Sequence, residues 1–247
     1  MPKYTFKSQY ATEFEYIAPK SQNPTVLYLH GFCSNPWGRK PDTVKEYCEK
    51  YGVGFYRFEF AGHGSDESNF ESADFNIWKN QVIEIIDNVL KGDVYLVGSS
   101  MGGWISLLAA IERPERIKGI VGLAAAPNFI KLFEPYMTPE QKQQLIVEGK
   151  FRFGNDDFEY TITKKFIDSA LENCLDDTAK QWDINCPVHL LQGMKDASYA
   201  WRGVLDIAKK IAHENVVVKI MKNADHRLGD DKSIQELFNS LVNIVNI

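Results

Sequence analysis

Strands and helices alternate along this chain of 247 residues, and the alternation predicts an α/β fold, a mostly parallel central sheet with helices on both faces. Two observations carry that prediction. The strand segments are short apolar runs, Val26-Leu27-Tyr28-Leu29-His30 above all, as strands buried on both faces must be. The segments between them repeat apolar residues at helical spacing, as Trp78, Val82, Ile85, Ile86 and Val89 do. Hydrophobic residues make up 44% of the chain and charged residues 25%, which suits one large core, so a single domain over 1–247 is expected.

Taken in order, residues 4–6 and 14–17 predict a short N-terminal hairpin. Strand 26–30 ends in Gly31; 42–50 is a helix, and 54–60 a strand closing in Ala61-Gly62-His63-Gly64-Ser65. The amphipathic helix through Trp78 leads to a strand at 94–97 and a helix at 101–111 that is apolar on nearly all sides. Pro114 helps end that helix, and 117–126 is the next strand. Further on, 188–191 is a strand, Trp201 to Ile211 forms a helical stripe, and 216–221 is the last strand. Ile234, Leu237, Phe238, Leu241, Val242 and Val245 line one face of a closing helix, for which Ser233 and Glu236 form a capping box. Residues 127–183 break the rhythm. Helical patches at 138–147 and 163–175 predict a small helical cap above the sheet.

The segment Gly98-Ser99-Ser100-Met101-Gly102-Gly103-Trp104 places a serine at a sharp turn between a buried strand and a buried helix. Glycines two positions either side remove the side chains that would collide across such a bend. The following helix aims its N-terminal amides, with their partial positive charge, at the space beside the serine. A serine hydroxyl is a poor nucleophile until a base takes its proton, and the base needs a third group to fix its tautomer.

Ligands of open α/β sheets gather at the carboxyl ends of the strands. His30-Gly31, 62–65, the Ser100 turn, 193–196 and 224–226 all follow strands, so they converge on one rim. Of five histidines, His226 is the expected base; His30 and His63 fit turn-shaping roles, His189 lies in a buried strand and His213 ends a helix. Asp196, after strand 188–191, is the expected acid, giving the chain order Ser, Asp, His. Asp225 is too close in sequence to reach its neighbour's Nδ1, so it fits a loop-stabilising role. Two backbone N–H donors are needed for an oxyanion, and Met101 and Phe32 are placed to supply them. Phe129, Leu132, Phe133, Tyr136 and Met137 cluster near the start of the cap. They either dock it on the core or line an acyl pocket, and Phe129, Phe133 and Tyr136 are the candidate substrate contacts.

The four cysteines lack Cys-x-x-Cys spacing, so neither a zinc site nor any other metal is expected, and the chemistry above needs no cofactor. Cys33 fits a buried neutral thiol. A net charge of −5 without a Lys/Arg cluster argues against a nucleic-acid partner. No apolar stretch is long enough to span a membrane, and the N-terminus carries neither a signal core nor an Arg-rich presequence, which predicts a cytoplasmic protein.

Over essentially the whole chain this layout resembles the α/β-hydrolase superfamily, and Gly62-His63-Gly64-Ser65 is similar to a loop common among its serine hydrolases. Within it, Gly31-Phe32-Cys33-Ser34-Asn35, the 98–104 turn, Gly193-Met194-Lys195-Asp196 and Asp225-His226-Arg227 resemble the palmitoyl-protein thioesterases that also cleave acyl glucuronides. The resemblance implies Ser100 as nucleophile, Asp196 as acid and His226 as base, acting through an acyl-enzyme on small-molecule or acyl-protein esters or thioesters. Gln192 departs from it, standing where such enzymes often carry histidine. A peptidase of the same fold and a non-catalytic ligand-binding protein are the alternatives.

Overall fold

Every residue of the strands β3 (Thr25–Leu29), β4 (Gly54–Phe58), β5 (Val94–Ser99) and β9 (Val188–Gly193) is buried. Such strands need cover on both faces, and the computed structural model, which describes residues 1–155 and 158–246, supplies it. With β1 (Lys3–Thr5), β2 (Ala11–Ile17), β6 (Ile117–Leu123) and β10 (Val216–Met221) they form an eight-stranded sheet in the order β1-β2-β4-β3-β5-β6-β9-β10. β1 and β2 pair antiparallel, as do β2 and β4; every other pairing is parallel.

Two apolar layers flank the sheet. One packs Val44, Tyr47 and Cys48 of α1 (Arg39–Tyr51) with Leu237, Leu241 and Ile244 of α8 (Asp231–Ile244). The other takes Trp78 and Val82 of α2 (Phe75–Glu84), Trp104 and Ile105 of α3 (Met101–Glu112), and Val204 and Ile207 of α7 (Gly203–Lys210). Among the described residues no helix is long and apolar enough to cross a membrane.

Between β6 and β9 the chain builds the cap: a tight turn at Phe129–Leu132, then α4 (Phe133–Tyr136), α5 (Pro139–Glu148), strands β7 (Lys150–Asn155) and β8 (Phe158–Thr163), and α6 (Lys164–Glu172). The helical patches expected at 138–147 and 163–175 correspond to α5 and α6. The antiparallel pair β7–β8 was not anticipated; Phe151 and Ile162, partners in its register, turn inward and are buried.

Two local expectations are corrected. The capping box at Ser233 and Glu236 does not form: Asp230 caps α8 by accepting from the Ser233 N–H at 3.1 Å, and Glu236 pairs instead with Lys219 of β10 at 2.9 Å. The strand expected to run to residue 126 stops at Leu123, where Ala124 turns left-handed at φ 45°. The helix expected through Trp78 starts at Phe75, where the Asp74 carboxylate caps it by accepting from the Ile77 N–H.

Candidate active site

The chain leaves β5 through Ser100 at φ 53°, ψ −113° and enters α3 directly. A residue with a Cβ adopts that conformation only under constraint, and here it stands the side chain clear of the turn. Glycines make the turn possible. A Cβ on Gly98 would lie 2.3 Å from the Gly102 carbonyl oxygen, and one on Gly102 would lie 2.2 Å from that of Leu29. The Ser100 N–H donates to the Leu123 oxygen at 2.9 Å, locking the turn to β6.

Asp196 and His226 follow the adjacent parallel strands β9 and β10. Gly193 lets their loops touch, since a Cβ there would stand 2.3 Å from the Ala224 oxygen. His226 Nδ1 lies 2.7 Å from Asp196 Oδ2, and His226 Nε2 lies 3.0 Å from Ser100 Oγ. With Nδ1–H donating to the carboxylate, Nε2 is left as the acceptor for the serine hydroxyl. The Asp196 carboxyl is fully buried. Burial alone would raise its pKa, but hydrogen bonds from His226, the Tyr199 amide and Gln192 outweigh that and hold it below the usual carboxylate range. Gln192, which takes the place of a histidine in the resemblance, donates to Asp196 Oδ2 at 2.8 Å.

The loop after β3 lies against the serine: a Cβ on Gly31 would be 3.3 Å from that of Ser100. Among the described residues no acceptor takes the N–H of Phe32 or of Met101. The rim therefore brings together a hydroxyl, an imidazole and a carboxylate in one hydrogen-bonded chain, a set suited to acyl transfer.

Residues 24–170 match the family model of the alpha/beta hydrolase fold. The chain belongs to that family. It is 31% identical to the mitochondrial palmitoyl-protein thioesterase ABHD10 of Rattus norvegicus over 92% of this chain and 77% of that protein. The structure of the mouse alpha/beta hydrolase domain-containing protein 10 superposes with a TM-score of 0.86 at 29% identity, covering 98% of this chain and 96% of that one. A crystal structure of a protein from Agrobacterium vitis S4 superposes with a TM-score of 0.90 at 26% identity, covering 100% and 97%.

The Phe32 ring stacks on Phe166 of α6 with centroids 5.0 Å apart, and meets Phe129 at 5.7 Å and Phe133 at 6.4 Å. Phe129 and Phe133 thus serve at least to dock the cap. Tyr136 does not join them: it is 82% exposed and makes no ring contact among the described residues. Sequence reasoning missed Phe166, whose signal was only its place on the apolar face of a cap helix.

The other expected rim residues have structural partners. His30 Nε2 accepts from the Phe60 N–H and its Nδ1 donates to the Gly31 oxygen at 2.8 Å; His63 Nε2 accepts from the Cys33 N–H at 3.2 Å. Burial keeps both rings neutral, pushing His63 down to about 4. Asp225 accepts from the Arg227 N–H within its own loop. Burial pushes the Cys33 thiol far up, so it stays protonated. Behind the turn, Lys40 donates to Ser99 Oγ at 2.9 Å, and burial brings its amine down to about 8.

Proposed function

We propose that this chain is a serine hydrolase of acyl esters and thioesters, with Ser100 as nucleophile, His226 as base and Asp196 as the group that orients it. The hydrogen-bonded chain Ser100 Oγ–His226 Nε2, His226 Nδ1–Asp196 Oδ2 carries this reading. His226 Nε2 takes the hydroxyl proton as Oγ attacks the acyl carbon, and the Phe32 and Met101 amides receive the resulting oxyanion. As the tetrahedral adduct collapses, the imidazolium gives that proton to the leaving alkoxide or thiolate. Water then gives a proton to His226 and attacks the acyl-enzyme; the second collapse returns the proton to Ser100 and frees the acid. Base, orienting acid and oxyanion donors all come from the chain, so the proposed reaction calls on no cofactor. Thioesters are included because the rat relative is named a palmitoyl-protein thioesterase.

Ser100→Ala should keep the fold and lose hydrolysis of a p-nitrophenyl ester by a factor on the order of 10³ or more. Unchanged turnover, or no labelling of wild-type Ser100 by a fluorophosphonate, overturns the reading. An acyl-length series, run as matched oxygen esters and thioesters, then ranks the substrates. The cytoplasmic placement is likewise a proposal, and fractionation that includes organelles where the source cell has them tests it.

A further inference from the structure

We propose that Tyr160, a cap residue, is a positioning residue for the oxyanion hole: its hydroxyl and the His63 ring grip the two peptide groups of Cys33 and so set the direction of the neighbouring Phe32 amide. The inference rests on the hydrolase reading above. Cys33 sits at φ 53°, a left-handed conformation that a residue with a Cβ does not hold unaided. Its N–H donates to His63 Nε2 at 3.2 Å, from the loop after β4. Its carbonyl accepts from the Tyr160 hydroxyl at 3.1 Å, from β8 in the cap. One grip comes from the body of the fold and the other from the cap, on consecutive peptide groups, so Cys33 cannot rotate without breaking at least one of them.

Packing does not hold Cys33 by itself. A cavity of about 140 Å³, also lined by Ser34, Asn35, Gly62, Gly64 and Glu67, adjoins the clamp and gives the loop room to relax. Once Tyr160 lets go, Cys33 is free to return toward negative φ by turning the Phe32–Cys33 peptide off His63, and that turn shifts the Phe32 backbone, and with it the Phe32 N–H, away from Ser100. Tyr160 is itself braced, its ring against Phe70 with centroids 5.4 Å apart, and burial raises its pKa so the hydroxyl remains a donor at neutral and mildly alkaline pH. The cap is thereby a structural part of the oxyanion site as well as a cover for it.

The test uses full-length wild type, Ser100→Ala, Tyr160→Phe and the double variant Tyr160→Phe/Cys33→Gly. An oxyanion donor that is misdirected but present predicts that Tyr160→Phe lowers kcat roughly 5–30-fold with KM within about twofold. The loss should be equal across acyl lengths, and affinity for an alkyl boronic acid, whose serine adduct occupies the oxyanion hole, should fall by a similar factor. Cys33→Gly in that background should regain much of the loss, because glycine meets no left-handed penalty. A loss that appears in KM or varies with acyl length would make Tyr160 a pocket wall and overturn the proposal, as would no loss or no rescue. Absence of Ser100-dependent hydrolysis in the wild type overturns the hydrolase reading instead, and this inference with it.

Discussion

Asp196→Asn isolates what the buried carboxylate does for His226. Four N–H donors converge on its two oxygens: the Ser198 and Tyr199 amides on Oδ1, at 2.8 and 2.9 Å, and Gln192 Nε2 and His226 Nδ1 on Oδ2, at 2.8 and 2.7 Å. Asparagine offers a single oxygen. Facing the two backbone amides, which cannot move away, that oxygen leaves its NH₂ group against Gln192 and His226. The Gln192 amide can turn to present Oε1, an atom with no partner among the described residues. His226 can relieve the clash only by moving its proton from Nδ1 to Nε2, and the lone pair that should receive the Ser100 proton is then gone.

The wrong tautomer predicts a fall in kcat of about 10⁴, equivalent to about 5.5 kcal/mol of transition-state stabilisation. Adding Ser100→Ala should cost little more, since the two residues act as one unit. Stopped assays with a p-nitrophenyl ester measure the loss, and thermal melts check the fold. Because interactions hold the Asp196 carboxyl low, its contribution to stability is full above the unfolded pKa, about 3.9, and fades as pH falls through the lower folded value. The melting-temperature gap between wild type and Asp196→Asn should therefore narrow only in strong acid. A folded Asp196→Asn protein within tenfold of wild-type turnover would refute the reasoning.

Gly102→Ala should yield little soluble, active protein, because its methyl would meet two backbone carbonyls, those of Leu29 and His30, at 2.2 and 2.7 Å. Normal yield and activity would count against the turn geometry. Lys40 is a buried amine brought down to about 8, so the folded state sheds its proton before the unfolded state does. Between about pH 8 and pH 10.4 the unfolded chain binds more protons, and stability should rise with pH relative to Lys40→Met. Urea midpoints at pH 7.5 and 10 measure that difference, and parallel behaviour of the two proteins would remove the buried-charge account. Asn128→Ala should loosen the cap: its side chain donates to the Leu175 oxygen and accepts from the Leu175 N–H, each at 2.8 Å, and donates to Asp177 at 2.9 Å. Faster limited proteolysis within the cap, at a rate several-fold above wild type, is the readout; an unchanged rate contradicts it.

The sheet was legible because burial on both faces writes itself into sequence as unbroken apolar runs, and the rim was legible because loops at the carboxyl ends of parallel strands must share one edge. That rule, together with the chain order Ser, Asp, His and the structural roles open to the other histidines, led from Ser100 to Asp196 and His226. The cap hairpin was not legible. Phe151, Phe153, Tyr160 and Ile162 alternate over only a few residues each, among charges, and next to a stronger helical signal. The cap of α8 was ambiguous for a different reason: Asp230 and Ser233 are both favoured N-cap residues, three positions apart, and tertiary placement of the chain after Leu228 chose between them. Tyr136 shares a sequence cluster with Phe129 and Phe133. The tight turn at Phe129–Leu132 followed by the short α4 breaks a single helical phase, and Tyr136 turns to solvent.

Backbone strain in this molecule is concentrated at one edge. Cys33 follows β3, Ser100 follows β5, Ala124 and Asn128 follow β6, and Leu228 follows β10; all are left-handed without being glycine, whereas Gln9 and Ser21, the other two such residues among those described, sit in the turns either side of β2. Each such residue costs roughly 1–2 kcal/mol and persists only where its surroundings over-determine it. The surroundings do so here. Ala124 donates its N–H to the Leu191 oxygen at 2.8 Å, Ser100 to that of Leu123 at 2.9 Å, and Cys33 to the His63 ring. All of these partners rest on the buried parallel strands or on the loops leaving them. A sheet covered on both faces cannot relax to relieve its rim, so the same burial that stabilises the fold keeps the hydroxyl, the imidazole and the carboxylate in place.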